Sequence, residues 1–430
     1  MLVNKEYKDS GVSWLGNIPA LWNIVKTKRH FQNEKRVAGK YANQYERLAL
    51  TMNGVIKRDK EDAEGLQPES FEGYQVLEQN QLVFKLIDLE NVKTSRVGLS
   101  PYTGIVSPAY IILHNDQQDN RFYYYYYMNM YYQEIFNYLG GEGVRSALNA
   151  KDLLETPIPD ISLKQQKVIA DYLDGECARI DGIVTTQRQI IERLKEYKKS
   201  VITETVTRGL NPDVPMKDSG IEWIGKIPEH WKAGKTFYCL EDIGSGTTPS
   251  GEDYYTEDGI NWLNTGDLTD GYIREIPKKI TPKAMEDFST LKLHQENSIV
   301  IAMYGATIGK LGIITKKTTT NQACCVMTPN KDLSYKFLFY CLYAGKDYMM
   351  YLSFGSGQPN INQNILRHFI IPHIPIEEQQ AIADYLDREC ARIDTIIEKR
   401  ERMIELMTEY KKSLMYECVT GKKEIVDVVE

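Results

Sequence analysis

Few residues of this chain are spaced for bond-making chemistry. The nearest approach to a phosphate-binding loop is GATIGKLG at 305–312. Its two leading glycines enclose three residues rather than four, and Leu311 stands where a hydroxyl would have to meet magnesium. FGSGQP at 354–359 is glycine-rich, but no acidic ribose-binding residue after a strand accompanies it, so it does not read as a dinucleotide or methyl-donor site. No Asn-Pro-Pro-aromatic tetrad for base amino-methylation is present, and the six histidines form neither HExxH nor a pair at metal-ligand spacing. Pro159-Asp160 followed by Glu196-Tyr197-Lys198 imitates a nuclease pattern, yet the triplet returns at 409–411, so a repeat explains it. Five consecutive tyrosines, 123–127, could stack on bases. Their counterpart SYKFLFYCLYA (334–344) carries the 3–4 spacing of a packing helix, and packing is the reading adopted. The chain reads as non-catalytic.

What the sequence does carry is a repeat. KDSGVSWLGNIPALW (8–22) returns as KDSGIEWIGKIPEHW (217–231), and IADYLDGECARID (169–181) returns as IADYLDRECARID (382–394). EYKKS recurs at 196–200 and 409–413, at the same 213-residue offset as the second match. The protein is therefore two tandem copies, each a variable block followed by a near-constant helix. The blocks match weakly but in register: GEGVRSALNAKDL (141–153) lies over FGSGQPNINQNIL (354–366), and SPAYIILHN (107–115) over TNQACCVMT (320–328). Glycine-punctuated runs such as QLVFKLI (81–87), IVIAMYG (299–305) and LGIIT (311–315) predict α/β blocks with much strand.

The constant segments read as long helices with a coiled-coil seam. Leu173, Ile180, Ile183, Gln187, Ile190, Leu194, Tyr197 and Val201 step by threes and fours after the first seven. The second copy repeats this at Leu386, Ile393, Ile396, Arg400, Met403, Met407, Tyr410 and Leu414. About 40 residues at ~1.5 Å rise make a rod on the order of 60 Å. The shared polar interruption favours the two helices packing on each other, antiparallel if a two-fold relates the copies. The linker 205–217, TVTRGLNPDVPMK, has Gly209 past a helix end and then two prolines, a stop followed by an extended crossover. The organisation expected is thus a block at 1–161, a helix at 162–210, a block at 211–375, and a helix with an acidic tail at 376–430.

The 430 residues carry 52 Lys and Arg against 59 Asp and Glu, a net charge of −7, which argues against a nucleic-acid partner for the chain taken whole. Any DNA face must be a local patch or be completed by a partner. Seven scattered cysteines, with no CxxC, read as reduced thiols of a cytoplasmic protein. No run of 18 apolar residues is present, and MLVNKEYKDS lacks the apolar core of a signal peptide, so no membrane association is expected.

The paired KDSG-[VI]-x-W-[LI]-G-x-IP-x-x-W segments, the linker into the second of them (207–231) and the two IADYLD-x-ECARID helices identify a resemblance. The chain resembles the specificity subunit of type I restriction–modification enzymes over essentially its full length. GTTPS (246–250), INWLNTGDL (260–268) and the TNQ corner look like a common target-recognition pattern, and GLSPYTGIVSPAY (98–110) like another variety of it. The resemblance implies a mixed α/β fold with two tandem target-recognition domains separated by two long antiparallel coiled-coil helices, pseudo-two-fold symmetric. It also implies double-stranded DNA, two adenine methyltransferase subunits and further translocase–nuclease subunits as partners. S-adenosylmethionine, ATP and Mg would belong to those partners, with no cofactor in this chain.

Such a reader must offer Arg, Lys, Asn, Gln and Ser/Thr to base edges. The residues expected to do so are Lys57, Arg58, Lys93, Arg96, Tyr102, Arg145 and Asn149 in the first block. In the second they are Asn264, Thr265, Lys310, Gln358, Asn360 and Asn362. Asn321 and Gln322 are expected to brace the TNQ corner, and the pairs Trp14/Trp22 and Trp223/Trp231 to dock each block to the helices. Two rival readings are a coiled-coil scaffold whose blocks bind protein, and a self-sufficient enzyme with an unrecognised site.

Overall fold

The computed structural model describes residues 6–62, 68–87, 89, 95–139, 147–353 and 359–425. The chain divides into two compact units, Met1–Arg188 with Glu401–Glu430, and Gln189–Arg400. The division cuts across both long helices, Leu163–Arg208 and Ile376–Val419, so each unit owns one variable block and one end of each helix.

In the first unit, a four-stranded sheet runs in the order Gly54–Arg58, Arg47–Thr51, Gly104–Val106, Gln75–Leu77. A three-stranded antiparallel sheet, Ile111–Leu113, Leu82–Phe84 and Val97–Leu99, is buried throughout except at Leu99. The tyrosine run falls in the helix Asn120–Tyr132 and packs inward. Tyr123 and Tyr126 are fully buried and donate to the carbonyls of Pro159 (3.1 Å) and Pro157 (2.6 Å), while Tyr127 shares a hydrogen bond with Thr27. Burial pushes the Tyr123, Tyr126 and Tyr127 hydroxyls well above their ordinary pKa, so they remain neutral donors.

The second unit has a five-stranded sheet in the order Leu240–Ser245, Cys324–Pro329, Ile299–Ala302, Leu311–Ile314, Gly271–Ile273. A smaller sheet runs Tyr255–Thr256, Lys279–Ile280, Ile260–Leu263, Thr319–Thr320. GATIGKLG is the turn between two antiparallel strands of the large sheet, with Gly305 and Gly309 at positive φ. A strand, not a helix N-terminus, follows it, so no amide cradle for phosphate forms there.

Both units join block to helix by the same bonds. Asn23–Lys26 pairs antiparallel with Pro157–Asp160, and Lys232–Lys235 with Ile370–His373, each just before a long helix. Next comes a buried glutamine. Gln166 donates to the Ile161 carbonyl (2.9 Å) and to Gln118, and accepts from the Asp119 amide (2.9 Å). Gln379 donates to the carbonyls of Ile374 and Asp332 (both 2.9 Å) and accepts from the Ser334 amide (2.7 Å). Eight residues on, a carboxylate receives a cation and a tyrosine. Asp174 holds Arg121 (2.8 Å) and Tyr125 (2.6 Å), and Asp387 holds Lys336 (2.6 Å) and Tyr340 (2.7 Å).

Within each unit the two helix ends run antiparallel. In the first, Lys411 bonds Asp181 (2.6 Å) while Lys423 lies over the Tyr172 ring. In the second, Lys198 bonds Asp394 (2.7 Å), the same two sequence positions with the helices exchanged. Leu173, Ile180, Gln187, Leu386 and Ile393 are buried, and Ile183, Ile190, Leu194, Ile396 and Met407 half-buried. Tyr197, Met403 and Tyr410 are corrections to the seam, because all three are exposed while Ile191, Ile202 and Ile397 are buried.

The tryptophans divide their work. Trp22 and Trp231 are buried against the glycine that ends a long helix, Gly421 and Gly209, each at positive φ. Trp14 donates to Tyr126 (3.3 Å), and Trp223 donates to the Ile370 carbonyl (3.1 Å) and stacks on Phe369.

The glutamines give a stability prediction. Gln166→Leu and Gln379→Leu each strand buried backbone partners, and each should cost its own unit about 2–3 kcal/mol. Exposed Gln189→Leu should stay within about 0.5 kcal/mol. Urea unfolding followed by hydrogen exchange in each unit measures this.

Candidate nucleic-acid interface

Cations divide into those already paired with a carboxylate and those with none at hand. In the first unit Lys26 and Lys28 both bond Glu155 (2.6 Å each), which lowers that carboxyl to about 2. Arg36 pairs with Glu78, and Arg58 with Asp62 (2.7 Å). Lys57 differs. It projects from the exposed edge strand Gly54–Arg58 with its ammonium 5.4 Å from the ring centre of Tyr102, itself partly exposed. Among the described residues no carboxylate lies within ion-pair distance of it. Lys57 and Arg58 border a groove of about 470 Å³ whose lining mixes the cations Arg47 and Lys60 with the carboxylates Glu46 and Asp59. Lys60 braces this groove by donating to the carbonyls of Ala42 (3.0 Å) and Asn43 (3.3 Å). Two residues chosen from sequence are thus brought together, 45 positions apart in the chain.

Other expected readers are occupied elsewhere. Arg96 is only 3 % exposed and donates to the Ile87 carbonyl (3.0 Å), so it braces the block rather than facing solvent. Asn149 caps a short helix by accepting from the Asp152 amide (3.1 Å), with Asp152 reciprocating. Asn264 caps the turn Thr265–Asp267 in the same way, and Asn362 caps Gln363–His368. These asparagine side chains serve backbone amides. Thr265 and Lys310 are half-buried and Asn360 is exposed. Lys93, Arg145 and Gln358 lie outside the described residues. Asn321 does brace the TNQ corner, accepting from the amides of Ala323 and Cys324 (3.1 Å each), while exposed Gln322 accepts from Thr248 (2.8 Å).

A group of lysines not anticipated from sequence lies on and beside the small sheet of the second unit, among exposed carboxylates such as Glu257 and Asp258. Lys279 stands directly opposite Asn261 on the central strand, and Asn261 donates to the Lys317 carbonyl (3.0 Å). Exposed Lys278 reaches over the Trp262 ring and exposed Lys283 over Tyr254. Lys316 and Lys317 are exposed on the approach to the strand Thr319–Thr320. The signal was available in REIPKKITPK (274–283), which has four cations against one carboxylate, and in TKKT (315–318).

The reactive side chains are placed for packing. All seven cysteines are free thiols, and burial raises Cys177 and Cys390 to about 11 and Cys324, Cys325 and Cys418 to about 12. Among the described residues no three His, Cys, Asp or Glu side chains are arranged to hold a metal ion, and no helix is long and apolar enough to cross a membrane.

Known proteins share this construction. A family model described as the type I restriction modification DNA specificity domain matches twice, at residues 20–196 and 232–406. A relative named as the type I restriction enzyme MjaX specificity subunit of Methanocaldococcus jannaschii is 30% identical over 67% of this chain. The MjaVIII specificity subunit of the same organism is 28% identical over 63% of it. The matched stretch spans 65% and 62% of these relatives' own lengths, slightly under two thirds. One solved chain, from a structure on complex assembly and conformational transition of the type I R-M system, shares the fold. It aligns over 94% of this chain and 99% of its own, with a TM-score of 0.73 and 14% identity. The chain belongs to the type I restriction modification DNA specificity family and carries its domain twice.

Proposed function

We propose that the chain is the non-catalytic, sequence-reading subunit of a type I restriction–modification enzyme. In this reading the blocks 1–161 and 211–375 each recognise one half of an asymmetric, bipartite site in double-stranded DNA. The helices 162–210 and 376–430 connect them. The observation that carries the reading is the doubled specificity domain laid over a doubled set of block-to-helix bonds, with the two blocks themselves divergent. Two like frames bearing unlike surfaces suit two unlike half-sites.

Partners complete the enzyme. Two methyltransferase subunits would supply adenine methylation with S-adenosylmethionine, and translocase–nuclease subunits would use ATP and Mg. The chain would act in the cytoplasm, where the DNA is. DNA clamped between this chain and its partners need not draw all its phosphate contacts from a protein of net charge −7. In the first block, Lys57, Arg58 and Tyr102 are the proposed base-facing group; Thr265, Lys310 and Asn360 are the proposed counterparts in the second.

Two outcomes test this. Replacing residues 23–150 with the equivalent block of a relative should change one half of the methylated motif in cells and leave the other half intact. If both halves change together, two independent readers are excluded. Lys57→Ala and Tyr102→Ala should weaken target binding by the assembled methyltransferase, Lys57→Ala by about 1–3 kcal/mol if it contacts a base. Titration with a labelled target duplex reads this, and a loss confined to the first half-site is expected when each half is varied in turn.

A further inference from the structure

We propose that the first unit carries a latch. The turn after its tyrosine helix, residues 133–137, closes onto the second long helix by pairing Glu134 with Lys412, and closing steadies the edge strand Gly54–Arg58. The latch stands on geometry. Its use, the steadying of Lys57, rests on the function proposed above.

The second unit shows the equivalent pair made. Asp347 bonds Lys199 of the first long helix, and Met349, two residues on, is fully buried. In the register that lays Tyr138 and Leu139 over Tyr351 and Leu352, Glu134 lies over Asp347 and Phe136 over Met349. Lys412 is the counterpart of Lys199 at the same 213-residue offset. Phe136 is buried as Met349 is, so the turn is anchored alike in both units. The ion pair is not. Lys412 bonds Glu409 (2.8 Å) and lies 5.6 Å from the ring centre of Tyr132. Glu134 is exposed, and among the described residues it has no ion-pair partner.

Glu134 and Lys412 both border a cavity of about 950 Å³ between the block and the helix ends of its unit. The cavity gives the turn room to move, and its walls are built to yield. Glu134 has left-handed backbone, φ 58°, an uncommon conformation for a residue with a Cβ and one that costs energy to hold. On the helix side, Gly175 and Gly182 are exposed where an added Cβ would meet nothing within 4 Å, so packing does not require glycine there. The second long helix has Arg388 and Thr395 in these places. Glycine inside an exposed helix loosens it, and Ala178 and Asp181 in the same stretch border the cavity.

The cavity also joins the latch to the edge that carries Lys57. Met52, Asn53 and Gly54, which lead into the strand Gly54–Arg58, border it too. The Tyr131 hydroxyl reaches Met52 Sδ at 3.9 Å, and the Tyr131 carbonyl accepts from the Glu134 amide (3.0 Å). A turn drawn toward Lys412 therefore presses Tyr131 against the start of that strand. A solvent-exposed ion pair contributes only modestly, which keeps the open and shut states close in free energy.

Hydrogen exchange of the full chain tests this. Glu134→Lys and Lys412→Glu are made singly and together, with Asp347→Lys and Lys199→Glu as the reference for a pair already made. Loss of the Lys412–Glu409 bond is common to both arms of the cycle and cancels. The readouts are the turn, whose Asn137 and Tyr138 amides bond the carbonyls of Glu134 and Ile135 (3.0 Å each), and the strand Gly54–Arg58. Each single reversal should speed exchange at both by about two- to fivefold, and the combined reversal should restore it. Ala178→Trp, a wedge at an exposed residue of the cavity, should abolish that restoration. No restoration by the combined reversal would overturn the latch. Restoration that survives the wedge would refute closure, and a response at the turn without one at the strand would refute the coupling to Lys57. Duplex titration of the chain assembled with its methyltransferase partners separates the two levels, because a wild-type complex that binds no target overturns the reading function and leaves the latch standing.

Discussion

Each variable block is fastened to its long helix at two points, a buried glutamine and a carboxylate eight residues further on. Everything else in the structure depends on that fastening. Gln166 and Gln379 tie the start of each block's inner helix, Asn120–Tyr132 and Tyr335–Ala344, to the chain entering the long helix, and Asp174 and Asp387 tie positions further along it. Eight residues of helix span ~12 Å, so two such points fix both the position and the direction of the inner helix. The bonds are short, partly or fully buried, and include a charged partner, conditions under which a hydrogen bond contributes most. A block held in this way can exchange its loops and outer strands without moving its frame.

Much of this was legible in the sequence because the frame is written twice. The matched helices and the tryptophan pairs follow from near-identical segments repeated at offsets of 213 and 209, and the packing character of the tyrosine run from the 3–4 spacing of its counterpart 334–344. Strand runs such as IVIAMYG and LGIIT form the strands Ile299–Ala302 and Leu311–Ile314. Fine register was less legible. Tyr197, Met403 and Tyr410 continue the heptad arithmetic but are exposed, while Ile191, Ile202 and Ile397, which that arithmetic passes over, are buried.

The interface residues were the least legible, for a chemical reason. Asparagine offers its carbonyl oxygen to a base edge or to a helix N-terminus, and at Asn149, Asn264 and Asn362 backbone amides take that oxygen. At the first two, an aspartate three residues later marked the capping box. Lysine is ambiguous in a different way. Its reach makes almost any exposed position a candidate, and only the structure separates Lys26 and Lys28, neutralised by Glu155, from Lys57, which lies over an aromatic ring without a carboxylate at hand. Net charge, which argued against nucleic acid, averaged over exactly this distinction.

The central claim is that one chain carries two independent readers. Methylation-sensitive sequencing of a genome in cells expressing the wild-type chain with its partner subunits addresses it most directly. The account predicts one methylated motif of two different specified blocks divided by a gap of unspecified bases. A contiguous motif, or a palindromic one with identical halves, would contradict it.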